Sequence, residues 1–330
     1  MDGNIDFVII WVDGDDEEWQ KSRNCCLGIK DEVVTSMYRN WDNLQYWFRG
    51  VEKFTPWVNK IHFVTCGHLP KWLNINHPKL HIVKHSDYMP EEYLPTFNSH
   101  AIELNLHRIE GLAEQFVYFN DDTFIMDQMQ ATDFFKNGLP CDTPILSSLV
   151  PLVPKDPFFH YFINNLSIIN YHFSKRKVLK KNWSKWFSLK YGKLLFKNIY
   201  YAPVGGFSGF LNFHLPAAFL KASLKEVWEK EPEVLAATSI NKFRTIHDVN
   251  QYIFSYWQFA TGNFTPRKTN YGRFFLIEQD NQDLFECMSL RKYKMFCIND
   301  NPAVIHFDEK KEALKKQFSQ LLPEQSKFEL

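Results

Sequence analysis

Net charge is missing from this chain. Its 38 basic residues balance 38 acidic ones, so the whole molecule has no pull on nucleic acid or anionic lipid, and any such pull must be local. Cysteine pairs at CxxC spacing are missing too, and no histidine accompanies Cys25, Cys26, Cys66, Cys141, Cys287 or Cys297 at zinc-finger spacing. A structural zinc is thereby excluded, and buried thiols in a reduced compartment are expected. The opening MDGNIDFVIIWVDG has an apolar run of only six residues, flanked by acids where a signal peptide needs bases. Nowhere do about 18 apolar residues run uninterrupted, so no membrane span is expected and the chain reads as cytoplasmic. Internal repeats and low-complexity stretches are absent. What is abundant is aromatic residues, 17% of the 330, within a length that suits one large domain or two modest ones.

Apolar runs that stop abruptly in acids or amides recur along the chain. Phe116 to Asp122, FVYFNDD, begins as a strand buried on both faces and ends in Asn120, Asp121 and Asp122. IDFVIIWV, from Ile5 to Val12, ends in Asp13 and Gly14, and FCIND ends in Asn299 and Asp300. In open α/β sheets ligands collect beyond the carboxyl ends of strands, where paired carboxylates can hold a divalent cation against a phosphate. An Asp-rich turn or helix cap uses the same letters. Lys60 to Thr65 and Leu80 to Val83 read as further strands, with a helix from Tyr38 to Phe54 between the first two. This spacing predicts a mostly parallel sheet flanked by helices. Asp15 to Glu18 reads as a solvated acidic loop leading into a helix.

The segment from Leu94 to Ile109 reads as a Pro-Thr-Phe-Asn-Ser loop running into a helix, with Glu103 and His107 on one face of it. Glu103 then reads as a surface acid paired with His107 or Arg108, or as a second base or metal-shell group. Pro140, Pro151, Pro154 and Pro157 mark a boundary or surface excursion. From Pro157 to Lys225 there is no Asp or Glu, while nine basic residues between Lys175 and Lys197 sit among Trp183, Trp186, Phe187, Tyr191 and Phe196. Such a segment suits an anionic membrane interface, or nucleic acid, or a plain solvated helical insert. Glycine-rich APVGGFSGFL, 202–211, suits a close backbone approach to a ligand. A helical stretch follows Pro216 to Lys230, and Asp248 is placed near the first turn of an aromatic helix, 252–259, as its cap or dipole partner.

Four blocks resemble the Stealth family of polysaccharide phosphotransferases. They are IDFVIIWVDG; a long second block through FTPWVNKIHFVT, LPKWLN, LPTFNSHAIE, LHRIEGL and FVYFNDD; HLP at 214–216 with FRTIHDVN; and CIND with PEQSKFEL. They follow the family's order over nearly the whole chain. The pattern departs at Asn43 and Gln45, where Glu and Arg are usual, and at His247, where an acid is common.

The resemblance implies a Rossmann-like, nucleotide-sugar-binding α/β core, read here as 1–135 and 202–330 around a basic aromatic insertion at 136–201. It implies transfer of a hexose-1-phosphate from a UDP-sugar to a saccharide hydroxyl with release of UMP, assisted by Mg²⁺ or Mn²⁺. Asp121, Asp122 and Asp300 then read as metal ligands, and Asn120, Asn299, Asp13 and Gly14 as groups around the donor. His214 reads as general base, a capped turn being its plain alternative. Arg244 reads as the diphosphate clamp and Glu103 as a further active-site acid. The partners implied are a UDP-sugar and a lipid-linked saccharide acceptor at the inner face of the cell membrane, and no nucleic acid. An ordinary metal-dependent glycosyltransferase releasing UDP, or a non-catalytic saccharide-binding protein, are the rival expectations.

Overall fold

A computed structural model describes residues 3–29, 38–150 and 157–330. Eleven strands are described: β1 Ile5–Ile10, β2 Ile61–Thr65, β3 Leu80–Lys84, β4 Gln115–Phe119, β5 Thr123–Ile125, β6 Phe135–Lys136, β7 Leu139–Asp142, β8 Ala217–Leu220, β9 Thr265–Pro266, β10 Gly272–Leu276 and β11 Met295–Asn299. The main sheet has the order β3-β2-β1-β4-β8. Its first four strands are parallel, and β8 closes the edge antiparallel to β4. This is the strand order of half a doubly wound, Rossmann-like sheet.

Alternation along β1 shows how the layers form. Phe7 and Ile9 point into one core, with Phe63, Val117, Phe119 and helices Leu44–Phe54 and Phe307–Leu321. Val8 points into the other, with Val64, Phe116 and helices Ser99–Leu104, Pro157–His172 and Tyr252–Thr261. Both sides of the strand are apolar because both are covered. The exception is Asp6, fully buried in β1, whose carboxylate accepts from Asn59 Nδ2 at 2.7 Å and the Ala113 amide at 2.8 Å and meets His62 Nε2 at 3.0 Å. Burial alone would raise its pKa, but those hydrogen bonds and the His62 charge hold it below the ordinary value.

Several local expectations change. The helix of 38–54 starts only at Leu44, and the helix after the Pro-Thr-Phe-Asn-Ser loop starts at Ser99 as expected but stops at Leu104, with a 3₁₀ turn, Leu106–Arg108, beyond it. The stretch after Pro216 begins as the edge strand β8 before helix Lys221–Lys230, since four apolar residues fit either state. Asp16 does cap the first helix, Glu17–Leu27, accepting from the Trp19 amide at 2.7 Å. The glycine-rich 202–211 stretch is approached by the chain itself, with Ser147 N donating to Gly209 O and Leu149 N to Ser208 O. Cys141, Cys287 and Cys297 are buried free thiols, but Cys25 and Cys66 are exposed. Pro151 and Pro154 lie outside the described residues, while Pro140 sits inside β7. No helix among the described residues is long and apolar enough to cross a membrane.

Candidate active site

The chain leaves the main sheet at the end of β4 and enters a second sheet, ordered β10-β11-β5, through the three residues Asn120, Asp121 and Asp122. Thr123 N and Oγ1 both donate to Asn120 O, so the Asp-rich stretch is a turn as well as a cluster of functional groups. β5 runs antiparallel to β11, and Ile298 N donates to Asp122 O at 2.8 Å. That pairing sets Asn299 and Cys297 beside Asp122, although 177 residues separate Asn299 from it.

Asp122 is the hub. Its Oδ2 accepts from Asn299 Nδ2 at 2.7 Å and from Cys297 Sγ at 3.3 Å, and lies 3.4 Å from His214 Nε2. Its Oδ1 is buried and has no partner among the described residues. Burial would raise the Asp122 pKa, but the His214 charge, with hydrogen bonds from His214, Asn299 and Cys297, holds it below the usual value. His214 moves the other way. Burial opposes its charge, yet the Asp122 charge and hydrogen bond outweigh that and raise its pKa. Asp121 is reached by solvent but crowded by protein atoms. That desolvation first, and the Asp122 carboxylate second, push it up to about 7.

His214 has a positive φ of 48°, a conformation that costs a non-glycine residue about 1–2 kcal/mol. Its Nδ1 lies 3.1 Å from the Tyr252 hydroxyl and its Nε2 is 3.4 Å from Asn120 Nδ2, so both ring nitrogens are engaged. Glu103 is buried and pairs with neither His107 nor Arg108. Its Oε1 accepts from the Tyr118 hydroxyl at 3.1 Å and its Oε2 lies 3.4 Å from the Gln251 amide. The Tyr118 hydroxyl also bonds Asn120 Oδ1, linking Glu103 to the turn. Arg244 is exposed, donates to Ser99 Oγ at 2.7 Å, and its charge lowers the pKa of both Asp121 and His214.

The remaining expected groups form a rim. Asp300 is gripped by Arg39 in a two-bond fork, 3.0 and 2.8 Å. Asp13 Oδ1 accepts from Asn40 Nδ2 at 3.4 Å, and Gly14 passes so near Tyr38 that a Cβ would fall 1.9 Å from Tyr38 O. Residues 38–40 therefore draw the ends of β1 and β11 together. Asp248 caps no helix. It is fully buried and clamps the Arg244 loop, accepting from Asn98 Nδ2, Asn241 Nδ2 and the Thr245 amide and hydroxyl.

Cys297, Tyr118, Tyr252 and Arg39 escaped the sequence reading. Tyr118 carried one signal, since a tyrosine inside a fully buried strand needs a partner for its hydroxyl. From His214 and Tyr252 a narrow cleft of about 50 Å³ runs past Asn212 to Asp142, Arg267 and Tyr271.

The site leaves a carboxylate oxygen open to a divalent cation. Asp122, His214 and Cys297 offer ligand atoms within 4.8 Å of one another, and the Asp122 Oδ1 atom is otherwise orphaned. Burial and the Asp122 charge push the Cys297 thiol far above its ordinary pKa, which keeps it a protonated donor to Asp122. Carboxylate oxygens are then the natural ligands, as Mg²⁺ and Mn²⁺ prefer.

The family model for Stealth protein conserved region 2 matches residues 37–141. A capsular polysaccharide phosphotransferase of Streptococcus pneumoniae, WcwK, is 45% identical over 98% of both chains. A receptor polysaccharide phosphotransferase of Streptococcus gordonii, WefC, is 39% identical over 99% of both. An exopolysaccharide phosphotransferase of Lactiplantibacillus plantarum, cps2G, is 37% identical over 99% of this chain and 96% of its own. Among solved structures, the galactosyltransferase LgtC with donor and acceptor sugar analogues gives a TM-score of 0.41 at 10% identity, covering 97% of this chain and 96% of that one. Relatives similar along nearly the whole chain carry phosphotransferase names, which makes this protein a transferase. The chain belongs to the Stealth family.

Proposed function

We propose that this protein transfers a hexose-1-phosphate from a UDP-sugar to a hydroxyl of a saccharide acceptor, forming a phosphodiester in a capsular or other cell-surface polysaccharide and releasing UMP. The observation that carries this reading is the Asp122–His214 pair, with an orphaned carboxylate oxygen on one side and a tyrosine-held imidazole on the other, in a chain of this family. The acceptor oxygen bonds to the phosphorus attached to the sugar, and the bridging oxygen departs with UMP. The protein has little covalent work to do in such a transfer and much charge to manage.

His214, in its neutral form, takes the acceptor proton, its ring held by Asn120 at one nitrogen and Tyr252 at the other. Arg244 binds diphosphate oxygens, a task that suits its fork of donors. Glu103 positions Asn120 through Tyr118, while Asp13 and Gly14 border the nucleotide end and Asn299 orients Asp122. Asp300 acts by fixing Arg39 at the rim. Asp121 and Asp122 would hold Mg²⁺ or Mn²⁺, which when bound offsets charge on the departing phosphate. The acceptor is a lipid-linked saccharide at the inner face of the cell membrane, met by the 136–201 side of the molecule.

The leaving nucleotide tests this directly. Incubation with a panel of UDP-sugars and a lipid-linked acceptor should release UMP and leave phosphorus in the product. Release of UDP with a phosphorus-free product would make the protein a glycosyltransferase, and no turnover with any donor would favour a binding protein. A second result bears on His214 alone. Tyr252→Phe removes one hydrogen bond worth about 0.5–1.5 kcal/mol, so kcat should fall roughly 2- to 12-fold with donor KM unchanged.

A further inference from the structure

The basic aromatic segment folds into four short helical pieces, Lys175–Lys181, Trp183–Trp186, Leu189–Leu194 and Leu195–Tyr201. Lys175, Lys185 and Lys190 are bound internally, donating to the carbonyls of Tyr201, Gly262 and Pro266. Arg176, Lys177, Lys180, Lys181 and Lys193 face solvent, in a stretch from Pro157 to Lys225 that holds no acid of its own.

The last helix is inside out. Phe196, Ile199 and Tyr200, at i, i+3 and i+4, share one face and are 73%, 53% and 73% exposed. The residue turned inward is polar: Asn198 is fully buried and accepts from Leu146 N while donating to Pro144 O and Trp186 O. Those three bonds satisfy the amide and fix the helix's rotation, so the outward apolar face cannot roll into the core without stranding a buried amide. Trp183 and Leu189, on the preceding pieces, are exposed as well. A soluble surface gains nothing from such a face, and contiguous exposed apolar area of this kind marks an interaction surface.

We infer that this face docks on an anionic lipid bilayer, inserting Phe196, Ile199, Tyr200 and Trp183 at the headgroup level while the surrounding lysines and arginine meet lipid phosphates. Charge complementarity selects that occupant. The molecule is neutral overall, yet the stretch that carries this face holds solvent-facing cations with no ion pair among the described residues, the composition of an interfacial anchor and unlike the charge-depleted core of a protein–protein interface. Position agrees. Asn198 holds Pro144 and Lys190 holds Pro266, immediate neighbours of Thr143 and Arg267, which wall the cleft leading from His214. A lipid-linked acceptor drawn from the bilayer thus has a short path to the candidate base; the inference rests on the proposed function only for what is delivered.

The test is co-sedimentation of the full chain, without donor, with vesicles of phosphatidylcholine alone and of phosphatidylcholine with phosphatidylglycerol. Binding should be at least about tenfold tighter with the anionic lipid and weaken as salt rises. Phe196→Ser, Ile199→Ser and Tyr200→Ser together should lose about tenfold or more of it, as should reversal of Arg176, Lys177, Lys180 and Lys181 to Glu, with circular dichroism unchanged. Quenching of Trp fluorescence by brominated lipid, lost in Trp183→Ser, reports insertion in the otherwise intact protein. Equal binding to both vesicle types, or no binding by a wild-type protein that instead dimerises through Phe196 and Tyr200, overturns the inference. A protein that binds vesicles but releases UDP would overturn the proposed function and leave this one standing.

Discussion

Asp122→Asn should lower kcat by about 10³-fold, the scale on which removing one electrostatic stabiliser of a developing charge is felt. The reason lies in the bonding of the two carboxylate oxygens. Oδ2 is satisfied by Asn299, Cys297 and His214, whereas Oδ1 is buried without a partner. A charge kept unsatisfied inside the protein is costly unless something arrives to satisfy it. A thermal reading separates loss of the ligand from loss of the fold. Wild-type protein at a Mg²⁺ or Mn²⁺ concentration of about 100 times Kd should gain about 2.7 kcal/mol of stability, and the Asp122→Asn protein should gain little. Equal stabilisation of both would remove Asp122 from the cation site, whatever happened to kcat.

Asp248→Ala should destabilise the protein by about 3 kcal/mol, measured as a lower denaturant midpoint at pH 7. The fully buried carboxylate accepts from Asn98 and Asn241 side chains and from Thr245 twice, and lies 3.5 Å from His100 Nδ1. Truncation strands several donors at once. Activity should fall as well, because the clamped loop carries Arg244. The pH dependence has a definite sign. Burial would raise the Asp248 pKa, but hydrogen bonds from His100, Asn241 and Thr245 hold it below the ordinary value. A folded-state pKa below the unfolded one, about 3.9, stabilises the native state above that value, and the stabilisation is lost as pH falls through the lower folded value. The gap between wild type and Asp248→Asn should therefore hold steady above about pH 4 and close as the pH falls below it; a gap that stays constant well below that pH would assign the effect to packing.

Much of the framework is legible in the sequence because full burial leaves a plain trace. β1, β2 and β4 are runs with apolar residues on both faces, and their ends fall within two residues of the expected ones. The acid-rich turn after β4 is legible for the same reason, since adjacent carboxylates could continue a buried strand only with partners of the kind Asp6 has. Partnerships across the chain are not. Glu103 and His107 share helical spacing, but the helix stops at Leu104 and the acid turns to Tyr118 in the sheet. Asp300 follows β11 just as Asp121 and Asp122 follow β4, yet Arg39, 261 residues away, claims it. Asp248 looked like a helix cap because a cap is a local device, while its actual partners include Asn98, 150 residues upstream. β8 was hidden by shortness, four apolar residues being too few to show a period.

The pairing of β5 with β11 also sets a schedule. Asp122 leaves the ribosome long before Asn299 and Cys297 exist, with 177 residues still to be made. At about 5–20 residues per second that interval is roughly ten to thirty-five seconds. All three side-chain partners of Asp122 lie later in the chain, and two of them, Cys297 and Asn299, come only with β11, so a chain released before that strand would carry the acids without the means to orient them.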